Sequence, residues 1–250
     1  MATINKLRTD FSLYTGSFAP NSYRTTVQAL SFIDRLPRFR KIADIGSGTG
    51  RQPCVLYEKT NSDIIAIDFL FEFTDYLSEK SRTEKLENRI HPILATPDNL
   101  PFQNEELDMI WAEAAVNTIE FGTALSEWNR FLKYGGYIGI CSYCWLTDNH
   151  PEVVAEYWKN NEKDIESISC RIKQLRDTGF TSTAHFVMPD ENWWNYFCPM
   201  ENNFSNFLER HPDNYDAEKL VKEIDKEIDL YEKYGEYYGY VFFIGRKNWY

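Results

Sequence analysis

The chain has 250 residues, 43% apolar and 16% aromatic, enough for one sizeable domain with a buried core or one domain with an appended lid. Lys and Arg number 27 against 38 Asp and Glu, a formal charge of −11. That balance repels phosphate backbones and anionic lipid, so it argues against nucleic acid and membrane surfaces as partners.

Short apolar runs alternate with helical patterns through the first half, the signature of a parallel α/β sheet. Ser22 is placed to cap a helix reaching about Leu36, with Val27, Leu30 and Ile33 on one face and Pro37 after its end. Lys41 to Ile45 reads as a strand and runs into the loop Gly46-Ser47-Gly48-Thr49-Gly50. A helix over about 52–60, a strand over 64–68 and a helix over 69–79 follow. Two further strands are expected at 90–94 and 107–111, then a helix over 123–132. Lys133 to Gly136 reads as a turn, and 137–143 as a fifth strand.

The second half opens with helices near 151–160 and 170–178, and Gly179 stands where a helix C-terminal glycine belongs. Strands are expected at 181–188 and 238–246. The roughly fifty residues between them are too many for a hairpin, and Ala217, Leu220, Val221, Ile224, Ile228 and Tyr231 recur there at helical spacing. This stretch reads as a helical lid built on the sheet.

Five cysteines at irregular spacing do not form a secreted disulfide framework. The N-terminal residues carry charge with no apolar stretch behind them, and no run reaches the length of a membrane span. A cytoplasmic protein is expected. Cys141 and Cys144 form a C-x-x-C, but within a strand their side chains point to opposite faces, so no metal is expected.

The glycine loop lets the chain turn off a strand and approach a ligand closely. Its G-x-G-x-G spacing departs from the G-x-G-x-x-G of dinucleotide folds, and no Lys-Ser/Thr of a P-loop follows, which argues against nicotinamide and ATP chemistry. Asp68 ends the second strand, twenty-two residues after Gly46. A carboxylate there has two oxygens side by side for the two hydroxyls of a ribose.

The run from Ile42 to Gly50 resembles the first motif of class I S-adenosylmethionine-dependent methyltransferases. In the order of that family, Ile64–Asp68 resembles its ribose-binding strand, Leu100-Pro101-Phe102 its "LPF" segment, Leu107–Trp111 its fourth strand, and Phe131–Tyr137 its "L-k-x-G-G" turn. The branch is similar to quinone-biosynthesis methyltransferases (Methyltransferase type 11). The ending Tyr237–Phe242 resembles a bacterial subgroup of unassigned small-molecule methyltransferases.

The resemblance implies an α/β, Rossmann-like three-layer sandwich. Its seven-stranded, mostly parallel sheet has an antiparallel last strand, and a helical lid is inserted between the last two strands. The whole chain is then one methyltransferase domain, with a core of about 22–188 and 238–248 and a lid of about 189–237. The implied activity is methyl transfer from S-adenosyl-L-methionine to a small molecule by in-line displacement, leaving S-adenosyl-L-homocysteine; a non-catalytic S-adenosylmethionine-binding protein is the alternative. A homodimer is compatible with it.

By position, Asp44 approaches the methionine amino group, Gly46, Ser47 and Gly48 pass beneath the methionine, Asp68 holds the ribose and Phe69 packs on adenine. The segment from Thr96 through Asp98 to Asn99 flanks the adenine amine. Thr96 stands where many relatives have Asp, and Asp98 is placed to take over its contact. Glu113 faces the methionine end and the substrate, or is a solvated strand-end carboxylate. Tyr14 and Ser17 lie in a segment that closes over the cofactor, or merely cap a helix.

Methyl transfer needs alignment and water exclusion, and sometimes a base. Glu113, Tyr143, Asp148, His150 and His185 are candidate bases, none marked out by a motif. Trp193, Trp194, Tyr196 and Phe197 either line a pocket for an apolar or cationic substrate or pack the lid on the sheet.

Overall fold

The computed structural model describes residues 2–16, 19–34, 36, 39–113, 119–161 and 165–249. Helices α1 (Ala2–Thr15) and α2 (Tyr23–Ser31) precede alternating β1 (Lys41–Ile45), α3 (Arg51–Thr60), β2 (Asp63–Asp68), α4 (Phe71–Thr83) and β3 (Ile90–Leu94). Next come β4 (Leu107–Ala112), α5 (Phe121–Asn129), β5 (Leu132–Trp145), α6 (Glu152–Asn160), β6 (Glu166–Ser167), α7 (Ile168–Asp177) and β7 (Phe180–Val187). Helices α8 (Asp190–Glu201), α9 (Phe204–Arg210) and α10 (Tyr215–Tyr234) then lead to β8 (Tyr238–Lys247).

The sheet runs in the order β3-β2-β1-β4-β5-β8-β7, with two-residue β6 pairing off the end of β5. β1 to β5 are mutually parallel, and β8 is antiparallel to both its neighbours, β5 and β7. Strands buried on both faces read as continuous apolar runs, as β1 and β2 do. One face packs Ile42, Met109, Trp111 and Tyr143 with α3, α4 and the lid helices. The other packs Ala43, Ile45 and Ile110 with α5 and α7. The expected seven-stranded sandwich is thus observed, with β6 as an additional short strand.

The lid lies between β7 and β8 in the chain, and α1 packs against it. Phe11 of α1 meets Phe207 of α9 at 4.6 Å between ring centroids. Trp193 of α8 stacks on Tyr231 of α10 at 4.3 Å. Helix α1 has no counterpart among the sequence expectations.

Several boundaries differ from the expected ones. α2 starts at the expected cap, where Ser22 and Thr25 form a reciprocal capping box, but it ends at Ser31; Pro37 lies outside the described residues. α4 starts at Phe71 because Asp68 and the Leu70 amide shape the entry. The expected turn at Lys133–Gly136 is an excursion inside β5: Leu107 pairs with Leu132, but Met109 already pairs with Tyr137. Gly136 fits this bulge because a Cβ there would lie 2.9 Å from the Asp108 and Lys133 carbonyl oxygens.

Lys247, buried at the end of β8, donates from Nζ to the carbonyl oxygens of Asn129 and Leu132 at 2.9 and 2.8 Å. Lys247→Met strands both carbonyls, and thermal denaturation should show a loss of about 1–3 kcal/mol. An unchanged melting temperature would deny this role.

Candidate active site

The glycine loop is anchored before it reaches open space. The Gly46 and Ser47 amides both donate to the Ile67 carbonyl, at 2.8 and 2.9 Å. The Gly48 amide donates to Asp68 Oδ2 at 2.9 Å, and the Leu70 amide donates to Oδ1 at 3.0 Å. Asp68 therefore clamps the loop to the start of α4. A carboxylate offers about four acceptor positions, so lone pairs remain for further donors. Asp68 is buried, not a solvated cap, and desolvation raises its pKa against the pull of these amides.

Gly48 has φ +52°, and a Cβ built on it would meet nothing within 4 Å. The backbone is therefore bare toward empty space. At the end of β1, Asp44 is 1% exposed and its Oδ2 has no hydrogen-bond partner; Ser47 Oγ is likewise buried without one. Burial holds the Asp44 carboxyl well above the usual carboxylate range, and the charges of Glu113 and Asp68 push the same way. Among the described residues no lysine or arginine forms an ion pair with these three carboxylates.

Glu113 is buried and held by three donors. Thr26 Oγ1 and Trp111 Nε1 donate to its Oε1 at 2.7 and 2.8 Å, and Gln52 Nε2 donates to Oε2 at 3.1 Å. Desolvation raises its pKa and these three donors oppose the rise. It is neither a solvated carboxylate nor a free base; it fastens α2, α3 and β4 together. Thr26, Gln52 and Trp111 were not singled out by sequence, and no local pattern marks them.

A second group gathers at the ends of β2 and β3. The Ala95 amide donates to the Asp68 carbonyl at 3.0 Å, bringing the turn after β3 alongside. Trp128 Nε1 fixes that turn by donating to the Pro97 carbonyl at 2.9 Å. Thr96, Asp98 and Asn99 are exposed there, and Phe69 presents a ring that is 46% exposed.

Other expected residues lie elsewhere. Tyr14 is exposed on α1 with the Arg210 guanidinium 3.6 Å over its ring, which ties it to α9. Ser17 lies outside the described residues. Tyr143 is buried against Trp158, Trp193 and Tyr240, and burial raises its pKa well above the usual tyrosine value, so it does not act as a base near neutrality. His185 is exposed on edge strand β7, stacked on Phe243. Asp148 is exposed, and His150 stacks on Trp145 at 3.7 Å. Trp193 and Phe197 are buried packing for the lid, while Trp194 is 36% exposed. Cys141 and Cys144 fall in opposite core layers, and among the described residues no group of three His, Cys, Asp or Glu could hold a metal.

A buried carboxylate with an unpaired oxygen suits a cation, and an exposed shelf beside a second carboxylate suits a nucleoside. S-adenosylmethionine carries a sulfonium and an ammonium against one carboxylate, so it is net cationic. The orphaned Asp44 oxygen, the bare Gly48 backbone and the exposed shelf beside Asp68 fit its ammonium, methionine chain and nucleoside.

Residues 43–140 match the family described as "Methyltransferase domain". The chain is 28% identical over 101 residues to methyltransferase GfsG of Streptomyces halstedii, covering 40% of this chain and 36% of that protein. It is 24% identical over 136 residues to a sarcosine/dimethylglycine N-methyltransferase of Aphanothece halophytica, covering 54% and 49%. The chain thus spans a third to a half of the length of these curated relatives. A methyltransferase from Geobacter sulfurreducens, solved with S-adenosylhomocysteine, shares the fold at a TM-score of 0.83 and 18% identity, over 97% of this chain and 98% of that one. No helix among the described residues is long and apolar enough to cross a membrane.

Proposed function

We propose that this chain transfers a methyl group from S-adenosylmethionine to a small-molecule acceptor, and that residues 1–250 form one catalytic domain with a lid at about 189–237. The observation that carries the reading is Asp44: a buried carboxylate with an unpaired oxygen beside a bare glycine backbone has no structural purpose but suits a bound ammonium. A cytoplasmic setting fits the five free cysteines.

When bound, S-adenosylmethionine supplies an electrophilic methyl on sulfur. Asp44 accepts from the ammonium, and Gly46, Ser47 and Gly48 pass under the methionine chain. The remaining lone pairs of Asp68 accept from the ribose hydroxyls. Phe69 covers one face of the adenine, and Thr96, Asp98 and Asn99 reach its edge. Glu113 positions the helices around Asp44 and does not touch the acceptor. Glu113 is held by three donors, Tyr143 stays protonated and His185 lies on the outer edge, so these three expected bases are not free to act. The protein therefore works by alignment and exclusion of water. Small-molecule acceptors are also what the names of several relatives specify, among them sarcosine/dimethylglycine and phosphoethanolamine.

Calorimetric titration with S-adenosylmethionine tests the reading. Asp68→Ala removes charged acceptors and should weaken binding by about 1.5–3 kcal/mol. Gly48→Val, a β-branched side chain at positive φ aimed into the open space, should abolish binding. Unchanged affinity in both variants would overturn it.

A further inference from the structure

A cavity of about 390 Å³ lies under the lid, between α1, α6, α8, α10 and the end of β5. That volume is in the range of small-molecule sites. Its walls are aromatic: Tyr143, Tyr157, Trp158 and Tyr196. Its charged groups are Glu223, Glu227 and Arg8. Arg8 pairs with Glu223 at 3.3 Å, with both side chains near half exposed. Glu227 is half-buried, and its charge reaches Tyr143, Tyr157, Tyr196 and Tyr238.

The cavity shares a sheet face with the cofactor residues. Asp44 is level with Trp111, and Trp111 with Gly139; Tyr143 stands four residues beyond Gly139 on β5, roughly 13 Å toward the carboxyl ends of the strands. Tyr143 belongs to the same core layer as Trp111. The cavity thus opens on the side of the sheet where the methyl group is delivered if the cofactor lies over Gly48.

We propose that this cavity receives the acceptor, and that the acceptor is a small alkylamine or its ammonium form, held by the tyrosine and tryptophan rings with Glu227 as counter-charge. This rests on the S-adenosylmethionine reading above for the transfer step, but not for binding. Ring faces attract cations most strongly where water is excluded, and Lys226 already lies over the Tyr157 ring at 5.5 Å. Buried phenols cannot ionise near neutrality, so they add no competing anion and keep their rings and hydroxyl donors. Trp158 adds a buried indole N–H with no acceptor among the described residues, which suits an amine carrying an oxygen function.

Only the neutral amine reacts, so an acceptor held as its ammonium first gives its proton to Glu227 or to water. The lone pair of the neutral tertiary amine then forms the new N–C bond, and the S–C bond breaks with its electron pair on sulfur. The product is a quaternary ammonium, which the same rings and Glu227 accommodate.

Binding of choline and of its neutral carbon isostere, 3,3-dimethylbutan-1-ol, is measured by calorimetry with and without S-adenosylhomocysteine. Choline should bind about tenfold more tightly than the isostere. Glu227→Gln should weaken choline about tenfold and leave the isostere unchanged. Tyr196→Leu should weaken choline while Tyr196→Phe retains it; thermal melts confirm that each variant is folded. Equal affinity for the two probes, no choline binding, or a Glu227→Gln protein that binds choline like the parent would overturn the proposal. Titration of the same samples with S-adenosylmethionine separates failure here from failure of the cofactor reading.

Discussion

Asp44→Asn is expected to make the ligand-free protein more stable and a far poorer binder of S-adenosylmethionine. The carboxylate is buried, one of its oxygens has no partner, and Glu113 and Asp68 repel its charge. Asn keeps the shape and an acceptor but removes the charge. Relieving such a site stabilises by about 0.5–2 kcal/mol, and each kcal/mol raises the melting temperature of a chain this size by about 2–4 °C. The ammonium of the ligand, by contrast, loses its counter-charge in a buried place. Loss of one member of a buried pair costs about 3–4 kcal/mol, or on the order of 10²–10³-fold in affinity.

The pH dependence has a definite sign. The folded protein holds Asp44 at a raised pKa, so this group favours folding below the usual carboxylate range. That contribution is lost as pH rises through the raised value. The advantage of Asp44→Asn should therefore vanish in acid and grow as pH rises toward the raised value. A bound ammonium stabilises the carboxylate, so binding should expel a proton, and affinity should climb with pH across the titration of Asp44. Calorimetry in buffers of different ionisation enthalpy reads that proton directly. A variant that is less stable and binds normally would refute the assignment.

Glu113→Ala should be the most damaging single change at the site. It strands the Thr26, Gln52 and Trp111 donors together and leaves a hole where three elements meet. The expected loss is about 3–5 kcal/mol, seen as a melting temperature lower by roughly 6–20 °C. Glu113→Gln should be nearly neutral. Its oxygen still accepts from Thr26 and Trp111, and Gln52 can turn its amide so that its own oxygen accepts from the new N–H. It also removes one charge that raises the Asp44 pKa, so that pKa should fall. If Gln proves as harmful as Ala, the charge of Glu113 matters in itself and the positioning role fails.

The strands at 41–45 and 64–68 are legible because parallel strands buried on both faces must be short apolar runs, and the glycine loop and Asp68 bound them clearly. Helix α1 is not legible, because only Leu7 and Phe11 among its described side chains are buried hydrophobics, and Phe204 and Phe207, which pack on Phe11, come some two hundred residues later. The start of β5 is hidden for a related reason: Gly135 and Gly136 look like a turn until β4 supplies the pairing. The site divides in the same way. Asp44, Gly48 and Asp68 are close in a motif and readable. The donors around Glu113 come from positions 26, 52 and 111, and nothing local connects them. Glu223 and Glu227 recur at a one-turn spacing beside an apolar stripe, which reads as a solvated face, whereas the structure puts both on the wall of the cavity.

The place of β8 has a consequence for how the molecule is built. It fills the gap between β5 and β7, which do not pair with each other. β7 is synthesised before the lid and β8 after it, so a growing chain holds β7 with no neighbour until the whole lid has been made. Joining β8 to both strands then closes the sheet and shuts the roof in one event. Variants that weaken β8 pairing should accumulate a species with β1 to β5 assembled and the acceptor side open, competent for the nucleoside end of the ligand alone.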